Sequence, residues 1–547
     1  MHAGPGLPAA GRLRGPLGDD RGREEVLRAA RAVVMSGAAA GRVVRVTRAW
    51  RRFRFSRVMA GIMEMEVKTR ETAPEQAHAM RGAPVALGVE AALANTKLFP
   101  YWLDNPAAPA TEPELVGDVT ADLLIVGGGF TGLWAAVQAK EQMPHLNVVL
   151  IEAGKVAHGA SGRAGGIIST SVMHGLPNAV RVFPNDIAQL EAFGHHNLDG
   201  FEDTLKRYDI DADIEWNGEM TVAVDPEHIA HLKGDYDLHR EYGHNVVLLN
   251  REETLEQLNS PLFAGALWSR NRSGIVHPAK LAWGLKRAAL QLGVKLYEHT
   301  PLVTLADEGS TVFVTTPKGS VRAPRVVFGS GTAKVGIPDI NRRVMQVRDH
   351  VLATEPLTDE QLARIGWKNR QGVYDTRTQL NYFRLTKHNN IIFGGLVSYH
   401  FDGDPEPHQD GRRETYYRLA EAFYRTFPQL CDVRFSHAWG GPIDYCSRGS
   451  VFAKRYLGDK AVFVAGYTGF GVAASRFGAF MGLNILFDRD SPERKLDIAN
   501  QSPSYIPPEP MRWVAAKITF HAFDGADAEG GWKRAWISGI KAMGFPM

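Results

Sequence analysis

The hydrophobic pattern of this chain is weak over its first hundred residues and then becomes strongly structured. Residues 121–126 (ADLLIV) form a short continuous apolar run, as expected of a strand buried on both faces of a parallel sheet. Residues 130–141 carry apolar positions at helical spacing, and 147–151 (NVVLI) repeat the buried-strand form. Strand, glycine turn, helix and strand predict a βαβ unit.

Beyond this unit the periodicity changes. Residues 187–207 and 278–292 read as amphipathic helices, and 220–224, 246–249, 302–305, 312–315 and 325–328 as short strands. Segments 344–354, 380–386 and 390–397, punctuated by Gly and Asn, predict a separate antiparallel sheet. A last strand, 461–465, runs into a glycine turn and a helix over 472–486. The expected fold is α/β plus α+β, a Rossmann-like nucleotide-binding domain interleaved with an antiparallel-sheet substrate domain. The first takes residues 119–186, 275–343 and 447–490; the second takes 187–274 and 344–446. Residues 63–118 read as an extended, Pro-punctuated arm and 491–547 as a Pro-rich tail with one or two helices.

Charge changes the picture only at the front. The net charge of +3 conceals thirteen Arg, no Lys and four acids in residues 1–62, which leaves that leader at +9 and the remainder at −6. The leader lacks a signal-peptide core or a twin-arginine pair before an apolar run. It reads as disordered or as upstream sequence read through to a true start at Met59, Met63 or Met65. An anionic-surface patch over 42–57 is the alternative. No run of eighteen apolar residues predicts a membrane span. Two cysteines, Cys431 and Cys446, cannot form a disulfide framework. A cytoplasmic location is expected, with neither nucleic acid nor metal as a partner, the nineteen His being scattered.

The chemistry starts at Gly127, Gly128, Gly129, Phe130, Thr131 and Gly132. In this GxGxxG, Gly127 permits the turn, Gly129 lets a pyrophosphate approach, and Gly132 lets helix and strand pack closely. The helix start at Phe130 and Thr131 offers N–H groups to phosphate. Glu152 ends the second strand, where an acid can bond both ribose hydroxyls. These residues predict a dinucleotide, with NAD and FAD both open. The stretch after Glu152 favours FAD, because a second glycine-rich loop, GASGRAGG over 159–166, has no place in a minimal NAD site.

That loop, the first turn, the segment VHPAKLAWGLKRAALQLGVKLYE over 276–298 and the late AGYTGFGVAASRFGA over 465–479 resemble the D-amino-acid oxidase superfamily of FAD oxidoreductases. Residues 95–547 are most similar to the branch that contains gamma-glutamylputrescine oxidoreductase, with glycine and sarcosine oxidases more distant. The resemblance implies that Ser161, Gly162, Arg163, Gly165 and Gly166 serve the flavin and its phosphates. It implies that Val303 meets the adenine through its backbone and that Gly329 and Gly331 close over the cofactor. Gly466, Tyr467, Gly469, Phe470, Gly471 and Val472 would lie at the pyrimidine edge of the flavin, where N–H groups and a helix start stabilise the charge of reduction. Sarcosine oxidases carry a lysine where this chain has Ala473, and attach flavin through a cysteine where it has Asp444. FAD is therefore expected to be non-covalent, with a thioether at Cys446, two residues on, as the alternative.

The resemblance implies oxidation of an amine or amino acid at a C–N bond, with oxygen or another electron acceptor. No dedicated base is required, since the cofactor performs the hard step. Tyr382 and Arg384, two apart on an expected strand, share a face, so Arg384 could clamp a carboxylate while Tyr382 lines the amine pocket. His174 and Trp439 are further substrate-contact candidates. Each also has a structural reading: a strand-edge ion pair for Arg384, a loop hydrogen bond for His174, core packing for Trp439. Oxidation of a hydroxy acid or other alcohol, and a flavin-bearing partner-binding protein with vestigial redox activity, remain as alternatives.

Overall fold

Four short apolar strands and two flanking ones make the sheet that carries the first turn. In the computed structural model, which describes residues 87–270, 272–403, 411–523 and 531–542, its order is 452–456, 461–465, 326–328, 123–126, 148–151 and 295–297. All pairs are parallel except the outermost, 452–456 with 461–465. The helices Phe130–Gln142, Pro278–Gln291 and Gly471–Leu486 pack on one face in a shared core with Leu123, Ile125, Val148 and Leu150. On the other face Leu124, Val126, Val149 and Ile151 meet a four-stranded sheet of 117–120, 319–323, 312–315 and 304–307. Both faces are covered, which is why these strands lack polar alternation.

The second sheet has eight strands in the order 435–445, 345–354, 391–398, 382–385, 372–375, 219–223, 265–269 and 246–249. It is antiparallel except at one pair: 372–375 and 219–223 run parallel. Side chains alternate between its two faces. Met220, Val222, Val373, Phe383, Leu385 and Phe393 face a core closed by the helix Arg413–Thr426, whose Tyr416, Leu419, Ala420 and Phe423 recur at helical spacing. Residues of the opposite parity, including Glu219, Tyr374, Tyr382, Arg384 and Trp439, therefore turn toward the flavin-side loops. A mixed fold with a parallel nucleotide sheet and a largely antiparallel second sheet is what the hydrophobic pattern predicts.

The described residues belong to one unit, residues 82–547. The expectations for residues 1–62 and most of the arm to residue 86 lie outside the described residues. Among the described residues no helix is long and apolar enough to cross a membrane, and no group of three or more His, Cys, Asp or Glu is placed to hold a metal ion.

Candidate active site

The first glycine turn is built by steric necessity at two points. Gly127 sits at φ +109°, and a Cβ there would stand 2.7 Å from the carbonyl oxygen of Gly329. A Cβ on Gly132 would stand 1.9 Å from the carbonyl oxygen of Gly127, so helix and strand could not approach as they do. At Gly129 a Cβ would meet only Ser161 Oγ, at 3.1 Å. The chain's own packing demands less there, consistent with a position kept small for an approaching phosphate.

Around this turn the donors and acceptors suit a dinucleotide. No side chain of the N-cap residue Gly129 caps the helix Phe130–Gln142; Ser161 Oγ accepts from the Phe130 N–H at 2.8 Å, and among the described residues the N–H groups of Thr131 and Gly132 have no partner. Such a helix start attracts an anion. Glu152 accepts from the N–H of Gly128 at 2.6 Å and of Gly154 at 2.8 Å, and burial nonetheless raises its pKa. Each carboxylate oxygen keeps a lone pair for a ribose hydroxyl.

The loop 159–166 is pinned from the second sheet and from the N-terminal arm, one residue after another. Trp439 Nε1 donates to the Arg163 carbonyl at 3.0 Å, and Trp102 Nε1 to the Ala164 carbonyl at 2.8 Å. Gly165 lies against the Tyr382 ring, where a Cβ would stand 2.4 Å from Cε2. Arg384 Nη1 donates to the Gly166 carbonyl at 3.0 Å and to that of Val276 at 2.7 Å, and its Nε to Leu385 at 2.9 Å. The Arg163 guanidinium donates to the carbonyls of His158 and Gly440.

This corrects two expectations. Arg384 and Tyr382 do share a face, but the flavin-side loop covers that face. Arg384 is 1 % exposed, burial lowers its pKa to about 9, and its donors are spent on backbone carbonyls. The Tyr382 hydroxyl donates to Asp349 Oδ2 at 2.6 Å, and its ring lies between Gly165 and Gly394. Neither is placed to clamp a carboxylate or to line the pocket. Trp439, 2 % exposed, is a core tryptophan whose indole holds the loop. The Val303 N–H donates to the Thr315 carbonyl at 2.9 Å, which leaves its carbonyl as the backbone group that could meet the adenine.

The late turn is joined to the first. Thr131 Oγ1 and the Tyr467 hydroxyl, both buried, lie 2.8 Å apart. Gly466 and Gly469 take φ +89° and +95°, and Phe470, the N-cap of the helix Gly471–Leu486, makes no side-chain cap. Asp444 Oδ2 accepts from the Gly466 N–H at 2.7 Å, while burial raises its pKa to about 6. Cys446 is buried behind Gly466, its thiol donating to the Gly466 carbonyl at 3.3 Å, and burial raises its pKa. A protonated, enclosed thiol is a poor nucleophile for flavin attachment. Gly329 donates its N–H to the Val126 carbonyl at the end of the first strand, and Gly331 takes φ +58° two residues on.

Between the segment that follows Gly166 and the late turn lies a cleft. Ile167, Ser169 and Ser171, which continue from the flavin-side loop, form one wall; Gly469, Phe470 and Ala473 form another. Tyr374 and Glu219 from the second sheet close it, and the Tyr374 ring stacks on Phe470 with centroids 6.2 Å apart. Burial raises the pKa of Glu219 to about 7. His174 stands behind Phe470, its ring 4.1 Å away, at φ +63°. Burial lowers its pKa to about 4 against a bond to the Gly449 backbone, so it is neutral and supports the cleft from outside.

A family model described as FAD dependent oxidoreductase matches residues 122–481. The chain belongs to that family. Among curated relatives, gamma-glutamylputrescine oxidoreductase of Escherichia coli is 31% identical over 365 residues, covering 65% of this chain and 81% of that protein. The Haemophilus influenzae protein named Probable oxidoreductase OrdL is 28% identical, covering 68% and 84%, and sarcosine oxidase subunit beta of Rhizobium meliloti is 23% identical, covering 68% and 86%. The crystal structure of glycine oxidase from Geobacillus kaustophilus superposes with a TM-score of 0.59 at 19% identity, over 70% of this chain and 99% of that one, which shows the shared fold.

As an FAD-dependent oxidoreductase of this family, the chain takes FAD, and its residues fit that cofactor. The helix start after Gly129 and the Glu152 carboxylate suit the pyrophosphate and ribose, and the Thr131–Tyr467 contact ties the late turn to them. The residues that sequence reasoning missed are those that aim the family's parts: Trp102 from the N-terminal arm, Glu219, Tyr374 and Ser169. Trp102 stands out in the sequence only as a tryptophan in a Pro-flanked stretch. Glu219 carried a usable signal, an acid opening an alternating strand on the side opposite Met220 and Val222.

Proposed function

We propose that this FAD-dependent oxidoreductase oxidises the C–N bond of an amine or amino acid. When bound, FAD supplies the two-electron acceptor, taking hydride at N5 from the carbon beside a neutral amine, and the resulting imine hydrolyses. The observation that carries the reading is the cleft itself. It opens between the loop that continues from Gly166 and the turn at Gly469, the two segments that the family assigns to the flavin, and it is walled by Phe470, Tyr374 and Ile167.

The chain's own contribution is position and dryness. Ile167, Phe470 and Tyr374 exclude water around the reacting carbon, which strengthens electrostatic interactions inside the cleft. The tryptophan, tyrosine and arginine contacts to residues 163–166 hold the loop, and thus the substrate wall, against the cofactor side. Hydride transfer from a neutral amine requires no acid–base pair. The relatives named for gamma-glutamylputrescine, sarcosine and glycine oxidation all act on C–N compounds by name, which supports the same reaction class here.

The reading includes a small-molecule substrate, oxygen or another electron acceptor as the second substrate, and a cytoplasmic location consistent with two cysteines that form no disulfide. Purified holoenzyme mixed anaerobically with amines, amino acids and 2-hydroxy acids tests it. Loss of flavin absorbance with C–N compounds is expected. Bleaching by hydroxy acids alone would replace the reading with alcohol oxidation, and no bleaching by any of them would favour a vestigial site.

A further inference from the structure

The row of the second sheet that faces the flavin-side loops carries several polar side chains, and most are already partnered within the chain. Tyr382 bonds to Asp349, and Arg384 bonds to three carbonyls. Glu219 is different. Its carboxylate lines the cleft and makes no hydrogen bond or ion pair among the described residues. Its surroundings supply no compensating charge: the cleft's other polar groups are the hydroxyls of Ser169, Ser171 and Tyr374, and no Lys, Arg or His lines it.

A carboxylate half-buried in such a cleft and left unpaired is unfavourable until a cation joins it. The walls suit a cation as well, since the faces of Tyr374 and Phe470 are attractive to an ammonium group. They suit a carboxylate poorly. Ala473 brings no charge, Arg384 is spent elsewhere, and a substrate carboxylate would meet Glu219 as a like charge.

We infer that Glu219 receives the ammonium group of the substrate, and that the substrates are amines with no carboxylate on the carbon beside the nitrogen. The inference rests on the proposed amine oxidation and narrows it. The nitrogen arrives protonated and gives its proton to the Glu219 carboxylate before the neighbouring carbon is oxidised. Glu219 thereby selects amines against α-amino acids that would otherwise present the same C–H and C–N bonds.

Two measurements on the FAD holoenzyme test it. The first is binding without turnover: tert-butylamine is protonated at neutral pH and has no hydrogen on the carbon beside nitrogen, so it cannot be oxidised by hydride transfer. It should perturb the flavin absorbance saturably, and Glu219→Gln should weaken its binding about tenfold or more, a change of ~1.4 kcal/mol, while Glu219→Asp retains most of it. Flavin content and the resting spectrum verify that each variant is folded. Binding unchanged in Glu219→Gln, or no binding to wild type, overturns the inference whatever the enzyme oxidises. The second compares butylamine with both enantiomers of norvaline, which is butylamine bearing a carboxylate on the reacting carbon. Flavin reduction by butylamine but not norvaline is expected, and a preference for norvaline overturns the inference while leaving C–N oxidation standing. Failure of every amine and amino acid to reduce the flavin would refute the amine reading itself, with tert-butylamine binding still deciding the role of Glu219.

Discussion

Replacing Arg384 by Met removes three donors from a site that water does not reach. The carbonyls of Gly166 and Val276 lose their hydrogen bonds, 3.0 and 2.7 Å in the native protein, and the guanidinium no longer covers the Trp102 ring from 5.1 Å. The Gly166 carbonyl keeps the Val276 N–H at 2.8 Å, so only the Val276 carbonyl is left unsatisfied, at about 1–3 kcal/mol, and the lost bonds to Gly166 and Leu385 add about 0.5–1.5 kcal/mol each, ~2–6 kcal/mol together. Part of this is offset, because Arg384 is held without a hydrogen-bonded carboxylate and burying such a charge is itself unfavourable, which leaves a net destabilisation of ~2–4 kcal/mol. With an unfolding entropy of about 2.1 cal/mol/K per residue, a folded unit of this size loses roughly 2–4 °C in melting temperature. The larger effect falls on the cofactor. If half of the net cost is borne by the position of residues 163–166, FAD binds about tenfold more weakly. The assay is flavin fluorescence released on dilution, measured alongside thermal melting and flavin reduction by several substrates. FAD affinity and melting temperature should fall together, and all substrates should lose efficiency by the same factor. Unchanged FAD retention and melting, with weakened binding of carboxylate-bearing substrates alone, would refute the positioning role and restore Arg384 as a carboxylate clamp.

The same geometry sets three further outcomes. Gly132→Ala places a Cβ 1.9 Å from the Gly127 carbonyl oxygen, so the variant should lose FAD and at least ~3 kcal/mol of stability, measured by flavin content and denaturant unfolding. Because burial raises the Glu219 pKa to about 7 and, among the described residues, Tyr374 is the other ionisable residue lining the cleft, tert-butylammonium affinity should rise about tenfold per pH unit up to roughly pH 7 and level off above it. For stability the sign is opposite: the folded protein holds the Glu219 proton more tightly than the unfolded chain, so this carboxyl makes stability fall as pH rises from 4.5 to about 7, and Glu219→Gln should flatten both profiles. Acid precipitation should release the flavin from wild type and from Cys446→Ser alike; flavin that stays with wild-type protein but leaves the serine variant would establish a thioether.

The parts of this fold that the sequence reveals are those set by local pattern. The strand Leu123–Val126, its glycine turn and the helix Phe130–Gln142 are each specified by contiguous residues, and so are the late strand Ala461–Ala465 and the helix after it. Parity on the strand Tyr382–Leu385 was legible too, since Tyr382 and Arg384 do face the flavin side. What covers that face was not. The loop that reaches Arg384 lies 218 residues earlier, and no local rule says that a buried arginine meets carbonyls rather than a ligand. The cleft was hidden for a related reason: Glu219 and Tyr374 become neighbours through a parallel pairing of strands some 150 residues apart, which no turn signal announces.

The central claim is that this flavoprotein takes hydride from a carbon bonded to nitrogen, in a cleft built for an amine. An anaerobic titration of the holoenzyme with butylamine, monitored by flavin absorbance, tests it most directly. Full bleaching at saturating amine is expected; an unbleached flavin with butylamine, together with bleaching by a 2-hydroxy acid, would contradict it.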